Sequence, residues 1–269
     1  MARFLLWNVQ KKPLNRLILA CADQEKADAV FLVERPEVVR QLDVDFASRG
    51  FTPVVSEERF RVYAKAVVQL REQLVVGQRP IRANLYRWTG GSQSDGLIAL
   101  VHGHNRRDYA DGTRAAHFNS VAAILRQAEQ QLGHRRSVVL GDFNANPFEP
   151  AIVGANGLHA IGVRQLKGRT DRTFVSDPTD FFYHPMWRLY GHGRESGSAT
   201  HYFHGYNEVE PIWHMLDQVV VKPDALDRFP ESEVRIVTRI GSVSLWNAEQ
   251  IPDEVVASDH LPLVFQWDL

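Results

Sequence analysis

A layered α/β fold is predicted by three features of this sequence. Short, wholly apolar runs at residues 29–33 and 138–140 have strand length, whereas residues 14–23 and 113–132 repeat their apolar positions at helical spacing. The chain opens strand, helix, strand, helix, which is the start of an α/β layered domain. The stretches 59–70 and 74–88 then alternate and are rich in aromatics, as antiparallel strands around a turn would be.

In chain order, residues 4–9 read as the first strand, closing on Trp7 and Asn8. Pro13 suits the first turn of a helix running to residue 23, with Leu14, Leu17, Ile18 and Cys21 on one face. Residues 29–33 form the second strand, and Glu34 stands at its end before Pro36. A helix is expected beyond Pro36, as far as about Ser48 and ended by Gly50. Residues 90–95 read as an exposed turn, and residues 96–101 as an apolar strand that ends at His102. Thr113 suits the N-cap of a helix reaching Leu132, with Gly133 as its stop. Residues 146–214 are irregular and carry many prolines and glycines. Order returns at residues 215–221, at the alternating run 233–240 and at the strand 263–267.

With 269 residues, the chain is long enough to bury a substantial core. No linker, repeat or low-complexity tract divides it, so one domain over 1–269 is expected, with the irregular loop region at 146–214. The formal net charge of −1 gives no global basic field to attract nucleic acid, and leaves room for a local groove. The single cysteine, Cys21, excludes an internal disulfide. No apolar run approaches the roughly 20 residues needed to span a bilayer. Lys11, Lys12 and Arg16 interrupt any signal-peptide core, so a soluble, intracellular protein is the expectation.

The stretch SVVLGDFN at residues 137–144 carries the chemistry. An apolar strand stops at Gly141 and presents Asp142 and Asn144 on the loop beyond. A strand end is rigid backbone facing open space, and can hold a carboxylate within a ligand's reach. The structural alternative is an Asx-type turn, in which both side chains bond the local backbone. Other strands also end in, or begin from, polar residues: Asn8, Glu34, His102 and the pair Asp259-His260, while Asp217 sits within an apolar run. Gathered at one place, these carboxylates repel by on the order of 4 kcal/mol per pair at 4 Å and an effective dielectric of 20. A proton or a divalent cation must offset that. The all-oxygen set Glu34, Asp142, Asn144 and Asp259 suits Mg²⁺ or Mn²⁺ rather than zinc.

WNV at 7–9, VE at 33–34, VHG at 101–103, GDFNANP at 141–147, LDQV at 216–219 and SDHLP at 258–262 together resemble the endonuclease/exonuclease/phosphatase superfamily. Those deoxyribonuclease I-like enzymes carry these motifs in this order, and here they span nearly the whole chain. The resemblance implies a four-layer α/β sandwich, with two mostly antiparallel sheets face to face and helices outside. It also implies metal-dependent cleavage of a phosphate ester. By this likeness Glu34 is the principal metal ligand, with Asn8 beside it as ligand or phosphate contact, and Asp259 is a second metal-proximal carboxylate. Asp142 aligns or activates the water, Asn144 holds a phosphate oxygen, and His260 is the general base or transition-state stabiliser, oriented by Asp217. His102 donates to the phosphate or leaving group, and Asn105 is a further phosphate contact. Many relatives have Asp where this chain has Gln10, which removes one charge and leaves metal number open.

The substrate read first is DNA, because His102 and GDFNANP look closest to the deoxyribonuclease branch. Arg106-Arg107 with Arg114, and Arg135-Arg136, are candidates to line a backbone groove. The alternative is a small-molecule or lipid phosphate ester, favoured by the neutral charge and by the aromatic run 181–190 if it is exposed. A non-catalytic effector subunit is the third reading, and the survival of the whole ligand set argues against it. Five histidines (His184, His192, His201, His204 and His214) lack paired cysteines and compact spacing, so loops rather than a zinc cluster are expected.

Overall fold

Phe4 and Leu6 leave the first strand on one side, Leu5 and Trp7 on the other, and all four are fully buried. A strand that is apolar on both faces needs a layer on each side. The computed structural model describes residues 1–75, 82–89, 95–164, 170–175, 177–191, 199–203 and 213–268. Its strands include β1 (Ala2–Asn8), β2 (Ala29–Val33), β3 (Phe51–Val54), β4 (Phe60–Lys65), β5 (Gln69–Glu72), β6 (Ala83–Thr89), β7 (Asp95–His102), β8 (Ser137–Asp142) and β9 (Ala160–Ile161). Its longer helices are α1 (Asn15–Gln24), α2 (Arg40–Ala47) and α3 (Asp111–Leu132).

One sheet has six strands, in the order Arg235–Ile236, Leu263–Trp267, β1, β2, β4, β3. The other has seven: β5, β6, β7, β8, Asp217–Val221, Phe182–Tyr183, β9. Most neighbours are antiparallel, but each sheet holds a central parallel pair, β1 with β2 and β7 with β8. Phe4, Leu6, Phe31 and Val62 of the first sheet meet Trp88, Ile98, Leu140 and Val219 of the second in one core. Leu5, Trp7 and Val30 pack outward beneath Ile18 of α1 and Phe46 of α2. Val101 and Val139 pack beneath Phe118 and Leu125 of α3. Helices, sheet, sheet, helix is the four-layer sandwich, and each fully buried Leu or Phe contributes about 1.5–3 kcal/mol to it.

Several expectations are corrected. The second helix begins at Arg40, because Arg35 is still tied to the sheet through its N–H to Arg59 O (3.1 Å). Thr113 is not a cap: the helix is already formed at Asp111, with Ala110 in the extended capping position. The run 233–240 is no single strand. Val237 N–H turns to Pro262 O, splitting it into Arg235–Ile236 and Arg239–Ile240, the latter paired with Val243–Ser244. Residues 76–81 and 90–94, parts of an expected strand and turn, lie outside the described residues.

Gly141 sits in β8 with φ 148°, and a Cβ there would meet Val101 O at 1.8 Å. Only glycine lets β7 and β8 close at this rung, which is next to the rung pairing His102 with Asp142. Gly141→Ala is expected to destabilise the protein by at least about 2 kcal/mol, read as a lower midpoint in urea with unchanged slope. A midpoint equal to the parent's would refute this account of the strand contact.

Candidate active site

The two central parallel pairs bring their C-terminal ends together. Asn8 closes β1 and donates its Nδ2 hydrogen to Asp142 Oδ2 at 2.9 Å, which joins the two sheets. The chain leaves these ends through left-handed turns: Gln10, Lys11, Glu34 and Asn144 all have φ between 46° and 57°. Such geometry is uncommon for residues other than glycine and stores strain, which gathers at functional sites. At Glu34 it turns the side chain out of the strand ladder.

Asp142 lies opposite Asp217 on a ladder rung, and both carboxylates are buried. Asp142 Oδ1 accepts from Asn144 N–H at 2.8 Å, so the Asx-type turn is present within the site itself. Burial pushes Asp142 up to about 7, against the pull of His260. Thr200 Oγ1 accepts from the N–H groups of Leu216 and Asp217 and fixes the start of that strand. His260 Nδ1 donates to Asp217 Oδ2 at 2.7 Å, while Trp7 Nε1 donates to His260 O at 2.9 Å. Burial alone would lower His260, but Asp217 and then Asp142 outweigh it and raise it to about 10.

His102 Nε2 stands 3.5 Å from Glu34 Oε1 and 3.7 Å from Asp142 Oδ2. Burial, then the Arg82 and Arg59 guanidiniums, push it down to about 2, so it is a neutral imidazole. Its Nε2–H then faces the two carboxylates. Gln10 Nε2 donates to Asp259 Oδ2 at 2.9 Å, and Gln10 Oε1 is buried with no partner. Burial would raise the Asp259 carboxyl, but its bond with His201 and the nearby His260 hold it at about 2.

Glu34, Asn144, Asp142, Asp259 and His260 line one cleft of about 650 Å³ with Asn105, Arg106 and Arg107. A second cleft of about 650 Å³ shares Glu34 and is lined by Lys11, Arg35, Arg59, Arg82 and His102. Asn105 is at the rim, where its amide is spent on Asp108 in both directions (2.9 and 2.8 Å). Arg114 is a buried wall residue of the first cleft; it pairs with Glu149 (2.7 Å) and donates to Asn144 O (2.5 Å). Arg135 and Arg136 precede β8, at the strand end opposite Asp142, and bond Asp180 and Asp95 respectively. In the aromatic run 181–190, Phe182, Tyr183 and Met186 are core.

His201 is the residue that sequence reasoning missed. It bridges His260 as an isolated rung, with the rings 4.8 Å apart and its Nε2 3.6 Å from Asp259 Oδ2. The histidine enrichment near it was the only signal. Of the other four, His184 is buried against Gln218 and His214 against Asn146, while His192 and His204 lie outside the described residues.

No family model and no curated protein sequence matches the chain. Solved structures do. The human Nocturnin catalytic domain with bound sulfate is 16% identical, with TM-score 0.60, covering 99% of this chain and 94% of that one. An AP endonuclease from Archaeoglobus fulgidus is 16% identical, with TM-score 0.54 and full coverage of both chains. The 3′ phosphatase NExo from Neisseria, bound to a product DNA hairpin, is 14% identical, with TM-score 0.59 and full coverage of both. The fold is the one these structures share, the deoxyribonuclease I-like sandwich that the sequence resemblance implied.

His260 titrates above its ordinary 6.5 when folded, so the stability it contributes is complete below pH 6.5 and lost as pH rises through about 10. In EDTA, the stability gap between the parent and Asp217→Asn should therefore narrow steadily from pH 6.5 to 10. A constant gap, measured by urea unfolding across that range, would rule out this pairing as the source of the shift.

Proposed function

We propose that the protein is a divalent-metal-dependent phosphodiesterase acting on DNA, and that residues 1–269 form one catalytic domain. The observation that carries this reading is the His260–Asp217 pair set against buried Asp142, with Asn8, Glu34, Asn144 and Asp259 close by. The donors fit a hard cation, being oxygens throughout, and the buried carbonyl Oε1 of Gln10 lacks a partner. Glu34, Asp259 and Asn8 would hold the ion, with Gln10 supplying a neutral oxygen where relatives have a carboxylate. When bound, a divalent cation offsets charge on the phosphate and on these carboxylates.

The chain's own groups do the rest. His260 Nε2 can accept the proton of the attacking water once a cation held beside Asp259 offsets part of the negative charge that raises it, and Asp217 holds the tautomer that leaves Nε2 open. Asp142 aligns that water. His102 donates Nε2–H to a phosphate or leaving-group oxygen, which calls for the neutral form described above. Asn8 has two amide hydrogens, of which Asp142 takes one. Asn144 gives its hydrogens to Gly103 O (3.2 Å) and Asp142 (3.3 Å), long bonds that exchange readily for a phosphate oxygen. Asn105, turned to Asp108, is at most a rim contact.

DNA is favoured over other phosphate esters by the cations flanking the site in both clefts, Arg106 and Arg107 in one and Lys11, Arg35, Arg59 and Arg82 in the other. A small-molecule ester is the second reading, supported by the net charge of −1. A lipid is less favoured, because the aromatic run is largely core. No helix among the described residues is long and apolar enough to cross a membrane. Work inside the cell remains part of the proposal.

The test is cleavage of supercoiled plasmid and single-stranded DNA with Mg²⁺, Mn²⁺ or EDTA. Cleavage should need the metal and fall at least about 10²-fold in His260→Ala and in Asp142→Ala, with the fold retained by circular dichroism. Equal turnover in parent and variants would remove these assignments. An inert parent would move the reading to small phosphate esters.

A further inference from the structure

The imidazoles of His201 and His260 and the carboxylate of Asp259 present one ligand atom each, all within 4.8 Å of one another. None of the hard-cation chemistry above needs His201, and two nitrogens with one oxygen make a poor Mg²⁺ site. The same set suits a borderline cation such as Zn²⁺, which three protein ligands hold in catalytic-type sites with a fourth position open.

Two further observations point the same way. His260 already donates Nδ1–H to Asp217 at 2.7 Å, the carboxylate–histidine pairing that orients a metal-ligating imidazole and leaves Nε2 as the donor. His201 Nδ1 is buried with no hydrogen-bond partner, while its Nε2 lies near Asp259. We propose that His201, Asp259 and His260 form a zinc site, and that zinc bound there inhibits hydrolysis by taking the Nε2 lone pair of His260. The inhibitory half rests on the phosphodiesterase reading; the binding half does not.

Zinc–nitrogen bonds of about 2.0–2.1 Å put tetrahedral ligand atoms roughly 3.4 Å apart, so the three groups must draw in by about 1 Å. His201 sits on the two-residue strand His201–Tyr202, paired with Trp213–His214 and, through one isolated rung, with His260, outside the two main sheets. A strand joined to the site by one isolated rung can make that adjustment. Asp259 Oδ2 would exchange its bond from Gln10 for the ion, which makes zinc and the hard cation compete for one carboxylate.

The experiment is a zinc titration of the full chain by calorimetry in excess Mg²⁺, for the parent, His201→Ala and His201→Gln, each checked for folding by thermal melt. The parent should bind one zinc equivalent that the variants bind at least tenfold more weakly. Co²⁺ in the parent should give the intense visible absorption of a tetrahedral centre. Equal zinc affinity in parent and variants, or a weak octahedral Co²⁺ spectrum in the parent, would overturn the site. Zinc should also slow cleavage by the parent at concentrations that spare His201→Gln; equal sensitivity would overturn the inhibitory role. A parent that binds zinc through His201 yet cleaves no phosphodiester would sink the hydrolase reading and leave the zinc site standing.

Discussion

Two buried carboxylates facing each other across a ladder rung are the constraint on which this structure turns. Asp142 and Asp217 are both shut away from water, and unit charges about 4 Å apart repel by on the order of 4 kcal/mol at an effective dielectric of 20. His260 makes the arrangement tenable, and so its position cannot drift. Much of the surrounding structure serves that need. Trp7 Nε1 grips the His260 carbonyl, Ser258 Oγ holds Asn8 O at 2.8 Å, and Leu261 N–H bonds Thr200 O at 2.8 Å. Thr200 in turn fixes the start of the Asp217 strand. The last segment of the chain is thus sewn to its first strand and to the second sheet at one place. That place is where the two central parallel strand pairs end.

Parallel pairs matter because direction decides where ends fall. In β1 and β2 the C-terminal ends are neighbours, so Asn8 and Glu34 leave the first sheet side by side. In β7 and β8 the same holds for His102 and Asp142. Antiparallel pairing would have put half of these groups at the opposite pole, some 20 Å away along a six-residue strand. Arg135 and Arg136 precede β8 at the end opposite Asp142, and their fate as partners of Asp180 and Asp95 follows from topology.

The same logic explains what could be read from the amino-acid order. Strand ends were legible because apolar runs such as 29–33 and 138–140 are short, continuous and stop at a polar residue. Asp217 was legible because an acid inside an apolar run must find a partner. Leu263–Trp267 was found to the residue, since both faces of that strand are covered. His201 was not legible. Its neighbours are irregular, and its importance arises only when the fold sets it against His260, 59 positions later. Arg114 was legible as a cleft residue but not as a buried one, because its neighbours in sequence look like a solvated helix start, while its charge is taken up by Glu149 and the loop at Asn144. The interruption at Val237 depends on a single bond to Pro262, which no periodicity encodes.

Charge is the remaining question, since a net −1 argues against a polyanion partner and the site argues for one. The two are reconciled by where the charges sit. Arg82 is half-buried and donates to the carbonyls of His102 and Gly103 (2.9 and 3.1 Å), and burial, then Arg59, lowers its pKa. Arg59 reaches Glu57 only at 3.6 Å. Two guanidiniums near one another in a half-dry cleft repel, and an anion between them relieves that cost. Because the field at a cleft is set by charges within about a Debye length, roughly 8–10 Å, the charges that count there are the cleft's own, Lys11, Arg35, Arg59 and Arg82 against Glu34, Glu37 and Glu58. A protein neutral overall can therefore attract phosphate at one mouth and leave the rest of its surface indifferent to nucleic acid.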